Sequence, residues 1–525
     1  MKVQKNTVNL AIQGALILTI AGLVTKILSA AYRVPFQNIV GDIGFYIYQQ
    51  VYPFYGMSVI LATSGFPVVI SKVMTDCGYG KSMQIRSKIM TITFFYLSIV
   101  GIILSVFLYI FSDEIARFMG DLHLTKLIQI SAISFLVVPL VSSFRGYYQS
   151  EQNMNPTAVS QVVEQGIRVS FILASSYFMV RAGYNLYEVG FGALAGSIIG
   201  SLAALIMLAI TWRREHHGMI RWNVSAPIQT RKVLLSLMKS TWTIGLSSLL
   251  LILIQLIDAL NLYSLLVDGG MGKVLAKETK GIYDRGQPLI QLGTVVATSL
   301  ALSLVPVIAS AKVQNNFAFI HEKLNLSLKL CIVVAAGASA GLIAIIKPTN
   351  VMLFTNTSGS MVLMVLSVSI LFTSLCLTMF AILQGLGYTF FPALSVIVGV
   401  GIKYGLNMYL IPMYGVIGAA ISTVISYGVV VLITILYMII KGYSFKGNKS
   451  LGKISLAIVI MVSLLMIFLK TAGMIYNLEN RLFASIASLS GVLIGGCIYG
   501  WSIFKLKVFT NNELQNIPIL KKLVK

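Results

Sequence analysis

Apolar windows of roughly 20 residues recur from one end of this chain to the other, and each is long enough to cross a hydrocarbon core of about 30 Å at about 1.5 Å of rise per residue. A segment in lipid has no water to satisfy its amides and carbonyls, so it must pair them internally, which a helix does. Strands of alternating polarity, the mark of a membrane barrel, are absent. The sequence therefore predicts an all-α membrane protein of about fourteen spans. They run Leu10 to Ser29, Phe45 to Ile70, Ile89 to Phe111, Leu127 to Phe144, Thr157 to Val180, Val189 to Trp212, Trp242 to Leu262, Pro288 to Ala309, Leu326 to Ile346, Met361 to Leu383, Pro392 to Leu410, Val416 to Ile440, Ile454 to Leu469 and Leu482 to Phe504. Composition agrees: 57% of the 525 residues are hydrophobic and 10% charged, more apolar surface than a water-soluble domain can hide.

Two stretches about 235 to 240 residues apart repeat each other. Gly44-Phe45-Tyr46 leads to Gln50-Val51-Tyr52-Pro53 and then Phe66-Pro67-Val68-Val69-Ile70; Gly281-Ile282-Tyr283 leads to Gln287-Pro288 and then Val305-Pro306-Val307-Ile308. Pro156, Gly166-Ile167-Arg168 and Gly192-Ala193 find echoes in Pro392, Gly401-Ile402-Lys403 and Gly418-Ala419. The chain reads as one six-span bundle duplicated and fused, with an even number of spans making the halves parallel. This divides it into an N-terminal lobe over 1–222, a C-terminal lobe over 223–445, and two further spans with a tail over 446–525.

The formal charge of +23 raises nucleic acid as a partner, but its distribution argues for topology. Lys2 and Lys5 precede the first span; Lys72, Lys81, Arg86 and Lys88 follow the second; Arg213, Arg214, Arg221, Arg231, Lys232 and Lys239 fill the segment between the sixth and seventh. Lys441, Lys446, Lys449 and Lys453 follow the twelfth, and Lys505, Lys507, Lys521, Lys522 and Lys525 close the chain. These are alternate loops. The positive-inside rule then places both termini in the cytoplasm, with the basic excess also meeting anionic membrane lipids. The first apolar segment reads as a retained anchor rather than a cleaved signal, because it continues into a repeat-bearing segment.

Ionisable residues inside spans are costly and mark cavities or pairs. Lys26 and Arg33 lie about two helical turns apart at the end of the first span, where a continuing helix presents both on one face; Asp42 follows. Glu164 and Arg168 in the fifth span are spaced i, i+4, as a local ion pair requires. Asp258 lies in the seventh span, Asp284 and Arg285 enter the eighth, and Lys403 occupies the eleventh. Arg33, Asp42 and Arg285 either snorkel to the interface or face a cavity; Glu164 and Arg168 are either structural or functional. Lys26 and Lys403, deeper, are expected to face a cavity. Cationic lining selects a negatively charged substrate, and phosphate or pyrophosphate fits because Arg and Lys make charge-assisted hydrogen bonds to its oxygens. Pro53, Pro67, Pro288 and Pro306 remove backbone donors at corresponding places in the two halves and are candidate hinges. Gly196 and Gly200 form a small-xxx-small pattern suited to close helix contact.

The four cysteines and four histidines form no disulfide framework or metal spacing, and no cofactor is expected. No phosphate-cradling Gly-x-x-x-x-Gly-Lys-[Ser/Thr] loop occurs, so energy is expected from an ion gradient (Na⁺ or H⁺), the membrane potential or consumption of product.

The segment from Ala31 to Pro53, Ala31-Tyr32-Arg33-Val34-Pro35-Phe36-Gln37-Asn38-Ile39-Val40-Gly41-Asp42-Ile43-Gly44-Phe45-Tyr46-Ile47-Tyr48-Gln49-Gln50-Val51-Tyr52-Pro53, resembles the polysaccharide biosynthesis proteins grouped with stage V sporulation protein B. Tyr283-Asp284-Arg285, followed by Pro288 and Val305-Pro306, is similar to the eighth-helix pattern of the related MurJ lipid II flippases. The resemblance spans essentially the whole chain and implies the multidrug/oligosaccharidyl-lipid/polysaccharide exporter superfamily. It implies two six-helix lobes in a V around a central cavity, plus two C-terminal helices forming a lipid-facing groove. It places Lys26 and Arg33 at one basic position of such a cavity and Arg285 at another. The expected function is a bacterial plasma-membrane flippase, not an enzyme, that moves an undecaprenyl-pyrophosphate-linked saccharide, lipid II or a related wall or polysaccharide precursor, by alternating access. The alternatives are a cation-coupled multidrug exporter, for which Glu164 and Asp258 are available, and a non-transporting scaffold for wall-synthesis or sporulation proteins.

Overall fold

A computed structural model describes residues 2–78, 83–216, 228–302, 305–313, 317–443, 450–510 and 513–514. Within them the chain is helical with no strand. In chain order the helices are α1 (Lys2–Ala31), α2 (Arg33–Ile60), α3 (Phe66–Gly78), α4 (Met83–Ile110), α5 (Ser112–Phe118), α6 (Thr125–Ser150), α7 (Asn155–Arg181), α8 (Leu186–His216), α9 (Thr230–Ser240), α10 (Leu246–Ser248) and α11 (Leu250–Asp268). They continue as α12 (Lys273–Asp284), α13 (Gly286–Leu302), α14 (Val305–Val313), α15 (Phe317–Phe354), α16 (Ser360–Gly385), α17 (Phe390–Ile440), α18 (Ser450–Ile475) and α19 (Arg481–Lys505).

Ten helical stretches among the described residues are long and apolar enough to cross a membrane, and the protein is a multi-pass membrane protein. Two of these stretches, Ile17–Cys77 at 61 residues and Phe390–Ile440 at 51, exceed the roughly 20 residues one crossing needs. Each holds two of the expected spans. The longer one bends at Gly41, where φ is +71°, and the other bends at Gly415, where φ is +55°. The expected fifth and eighth spans correspond to α7, whose hydropathy Glu164, Gln165 and Arg168 lower, and to α13 with α14, which are 17 and 9 residues long and each too short to be counted alone.

The chain forms two compact units. The first comprises Met1–Asp284 with Thr389–Ala419, the second Arg285–Tyr388 with Ala420–Lys525. We propose that the boundaries at 222 and 445 mark a duplication of sequence, which is distinct from this spatial grouping. In the first unit α7 lies along α8, α6 packs on α3, α4 and α8, and α2 packs on α11 and α12. Gly196 and Gly200 form the α7–α8 seam as their spacing suggested: a Cβ at 196 would lie 2.6 Å from the Phe171 ring, and one at 200 would lie 2.7 Å from the Glu164 carbonyl oxygen. In the second unit α15 packs on α13, α16, α18 and α19, with Leu326, Leu330, Val333, Ile454, Ala457 and Ile503 in a common core.

Irregular backbone falls where the sequence breaks the helical ladder. Phe66 N–H reaches back to the Leu61 carbonyl, closing a π-helical turn over Leu61–Gly65 immediately before Pro67, which has no N–H to donate. A second π-helical turn, Thr241–Gly245, packs against the first. Within α2, Gly41 takes φ +71° and ψ −178°, a conformation essentially reserved for glycine. Pro53 lies inside α2, Pro288 in the first turn of α13, and Pro306 at the second position of α14.

Candidate functional site

Arg33 opens α2 and is buried at 3% exposure. Its guanidinium lies over the Tyr52 ring at 4.4 Å, and its Nε has no hydrogen-bond partner. Arg168, on α7, is also buried; its Nη2 donates to the hydroxyls of Tyr32 at 3.1 Å and Tyr48 at 3.2 Å, and its Nε donates to Ser197 Oγ at 3.2 Å. The Tyr55 ring lies 4.7 Å from the Arg168 guanidinium. Tyr48, Tyr52 and Tyr55 recur at helical spacing along α2, so one stripe of that helix supplies the aromatic wall. Among the described residues no carboxylate pairs with Arg33 or Arg168. Each such cation–π contact contributes about 0.5–2 kcal/mol, whereas burying an uncompensated charge costs several kcal/mol. The side-chain amides of Gln49 and Gln50, on the same helix, are buried without partners as well. Such a cluster suits an anion with hydroxyl-rich neighbours.

Arg285 begins the second unit, fully buried between α12 and α13. Its Nη1 donates to Asn356 Oδ1 at 2.8 Å and Asn350 Oδ1 at 3.3 Å, and its guanidinium sits 5.1 Å from the Phe354 ring. In the same unit α13, α15, α16, α18 and α19 line an open apolar groove of about 1510 Å³. Leu289, the first groove residue on α13, stands one helical turn after Arg285, and Thr349 and Met352 flank Asn350 on α15. Arg285 and Asn350 are themselves buried behind these lining residues rather than part of the groove wall.

Several expectations are corrected. Arg33 and Arg285 are buried, so neither snorkels; Asp42 is half-buried and accepts from Gln37 Nε2 at 2.8 Å. Glu164 does not pair with Arg168: it takes Arg145 Nη2 at 2.7 Å and the Ser201 hydroxyl at 2.8 Å. Lys403 does not stand open to a cavity; it is fully buried and bonded to Asp258 at 2.6 Å. Asp284 holds Lys280 at 2.7 Å. Lys26 has an exposed side chain on α1, as a residue facing a cavity or the surface would. Sequence reasoning missed Arg145 because the fourth span was ended at Phe144, whereas α6 continues to Ser150. It missed Lys280 because the eighth span was begun at Pro288, although the i, i+4 spacing to Asp284 was visible. Cys77, Cys331, Cys376 and Cys497 are free thiols, and the described residues hold no cluster of metal-ligating groups. His217, Arg221, Asn223 and the basic residues Lys81, Lys446, Lys449, Lys521, Lys522 and Lys525 lie outside the described residues.

A family model described as polysaccharide biosynthesis protein matches residues 11–312. The chain is 46% identical over 515 residues to the uncharacterized membrane protein YabM of Bacillus subtilis strain 168, covering 98% of this chain and 96% of that protein. It is 25% identical over 523 residues to the lipid II flippase MurJ of the same organism, covering 94% and 95%. Among solved structures, lipid II flippase MurJ in an inward closed conformation is similar with a TM-score of 0.68 at 16% identity, over 94% of this chain and 99% of that one, a likeness of fold.

Proposed function

This chain belongs to the polysaccharide biosynthesis protein family, and from that premise we propose that it is a flippase of the bacterial plasma membrane for a polyprenyl-pyrophosphate-linked saccharide. The observation that carries the reading is that the second unit holds both a buried arginine, Arg285, bonded to Asn350 and Asn356, and an apolar groove of about 1510 Å³ lined by their chain neighbours Leu289, Thr349 and Met352. A charged headgroup on a long hydrocarbon chain is the ligand such a pairing suits. Arginine gives planar donors to phosphate oxygens, and the groove removes prenyl surface from lipid at little cost. The Arg33 and Arg168 cluster supplies a second anion-favouring field, and the buried amides of Gln49 and Gln50 are suited to sugar hydroxyls. Similarity to a lipid II flippase over 94% of the chain supports the same class.

In this reading the saccharide and pyrophosphate pass through the protein while the prenyl tail stays in apolar surroundings, and alternating access exposes the headgroup site to each leaflet in turn. Both termini are cytoplasmic, lipid-linked glycan and membrane lipids are the partners, and wall-synthesis proteins are candidate ones. The test is binding by purified protein. Lipid II or a related lipid-linked glycan should bind more tightly than a neutral glycolipid of the same tail, with a preference that weakens as salt rises. Preferential binding of a cationic drug, with Na⁺- or H⁺-dependent efflux and no lipid-linked glycan binding, would replace this reading with a multidrug exporter.

A further inference from the structure

Every buried carboxylate that the first unit offers to a coupling ion already faces a basic side chain. Asp121 takes Lys277 at 2.8 Å, Glu164 takes Arg145 at 2.7 Å, Asp284 takes Lys280 at 2.7 Å and Asp258 takes Lys403 at 2.6 Å. Of the three lysine pairs, the last also sets a backbone carbonyl on the ammonium, as the Ala62 carbonyl is set on Arg145 in the arginine pair. Lys403 Nζ donates to Asp258 Oδ1 and, at 2.9 Å, to the backbone carbonyl of Ala419. Asn407 Nδ2 donates to Asp258 Oδ1 at 3.0 Å and Asn261 Oδ1 at 2.9 Å, and Tyr283 Oη donates to Asp258 Oδ2 at 2.7 Å. Asp258, Asn261, Lys403 and Asn407 are each at most 3% exposed.

The Ala419 carbonyl reaches this point only because the helix is broken. Along a straight helix, 16 residues would separate the two positions by roughly 24 Å, and the positive-φ bend at Gly415 brings the second limb of α17 back beside Lys403. A carboxylate oxygen and a backbone carbonyl, with the side-chain amides of two helices around them, form the kind of oxygen set that holds a monovalent cation. Here an ammonium fills it.

We propose that Lys403 is a tethered cation occupying an oxygen-lined monovalent-cation site of α11 and α17, and that this unit therefore has no need of a dissolved ion at Asp258. Removing the ammonium while leaving the oxygens opens that site to Na⁺ or K⁺. The inference stands apart from the choice of transported substrate.

The experiment is thermal unfolding of the purified full chain in NaCl, KCl or choline chloride at equal ionic strength. The wild-type midpoint should be the same in all three. Lys403→Ala should melt lower in choline and recover by about 5 °C, saturably, in NaCl or KCl, since a ligand binding only the folded state stabilises it in proportion to its occupancy. Lys403→Ala with Asp258→Asn should lose that recovery. Lys403→Ser, which vacates the ammonium position and leaves a hydroxyl, provides the same readout if the alanine variant is poorly folded. A wild-type midpoint raised by Na⁺ or K⁺ over choline and abolished by Asp258→Asn would overturn the proposal. So would Lys403 variants that fold without any cation response, or that fail to fold in every salt.

Discussion

Glu164 sits four residues before an arginine on its own helix and yet bonds the arginine of another, because Arg168 is turned toward Tyr32 and Tyr48 while Arg145 crosses from α6 with a 2.7 Å contact. Arg145 also donates to Ser160 Oγ at 3.0 Å and the Ala62 carbonyl at 3.1 Å, so both members of the pair are satisfied. Glu164→Gln strands a buried guanidinium, and unfolding should show a loss of about 3–5 kcal/mol, whereas replacing both partners by apolar residues, as in Arg145→Met with Glu164→Leu, should cost much less. Equal stability of Glu164→Gln and wild type would mean that water reaches the pair. For Arg33 the measured quantity is ligand affinity. A charge-assisted hydrogen bond contributes about 1.5–3 kcal/mol, so Arg33→Ala should weaken binding of a lipid-linked pyrophosphate by roughly 10- to 100-fold. Arg33→Lys should fall between, keeping charge while losing the flat stack on Tyr52. Unchanged affinity in Arg33→Ala would remove this residue from the site.

At the scale of elements, close approach and not propensity decides which glycines matter. A Cβ on Gly281 would collide with the carbonyl oxygen of Asp42, where α12 crosses the kink that Gly41 makes in α2. Gly166 on α7 has open space where its Cβ would go. Gly166→Ala should therefore be neutral or gain up to about 1 kcal/mol from helix propensity, while Gly281→Ala should lose about 1–3 kcal/mol by overpacking. Melting of the two variants side by side checks the contrast, and equal midpoints would show that α12 can shift freely. Gly200→Val belongs with Gly281, since its methyls would press on the Glu164 carbonyl and separate α7 from α8.

For the whole molecule the test of function is whether headgroup and tail are read by different parts. Gly496 lines the apolar groove with nothing within reach of its Cβ, so Gly496→Trp should fill the groove without touching Arg285. Shortening the prenyl chain of a lipid-linked pyrophosphate should reduce affinity in wild type and have little further effect in Gly496→Trp. Arg285→Ala should instead reduce discrimination between the charged and neutral headgroups. If tail length matters equally in both proteins, the groove is not where the tail lies. The proposed topology is checked separately: a cysteine at Asn223 should resist an impermeant reagent added to intact cells, and labelling from outside would invert the assignment.

Helix content, the paired spans and the presence of buried charge were all legible in the sequence, because bilayer thickness sets a length that each apolar run must meet and leaves the backbone no other way to satisfy itself. Gly196 and Gly200 were legible for a similar reason, since a four-residue spacing fixes a face of a helix before any partner is known. Which charge meets which was not. Arg145 finds Glu164 across two helices, Lys403 finds Asp258 on a helix far earlier in the chain, and Asn407 reaches the same carboxylate at a separation of 149. Spacing along one helix constrains neighbours on that helix only. The pairings depend on how α6, α7, α11 and the bent α17 are stacked, and the groove on how α18 and α19 lie against α15, so those features came into view only with the tertiary structure.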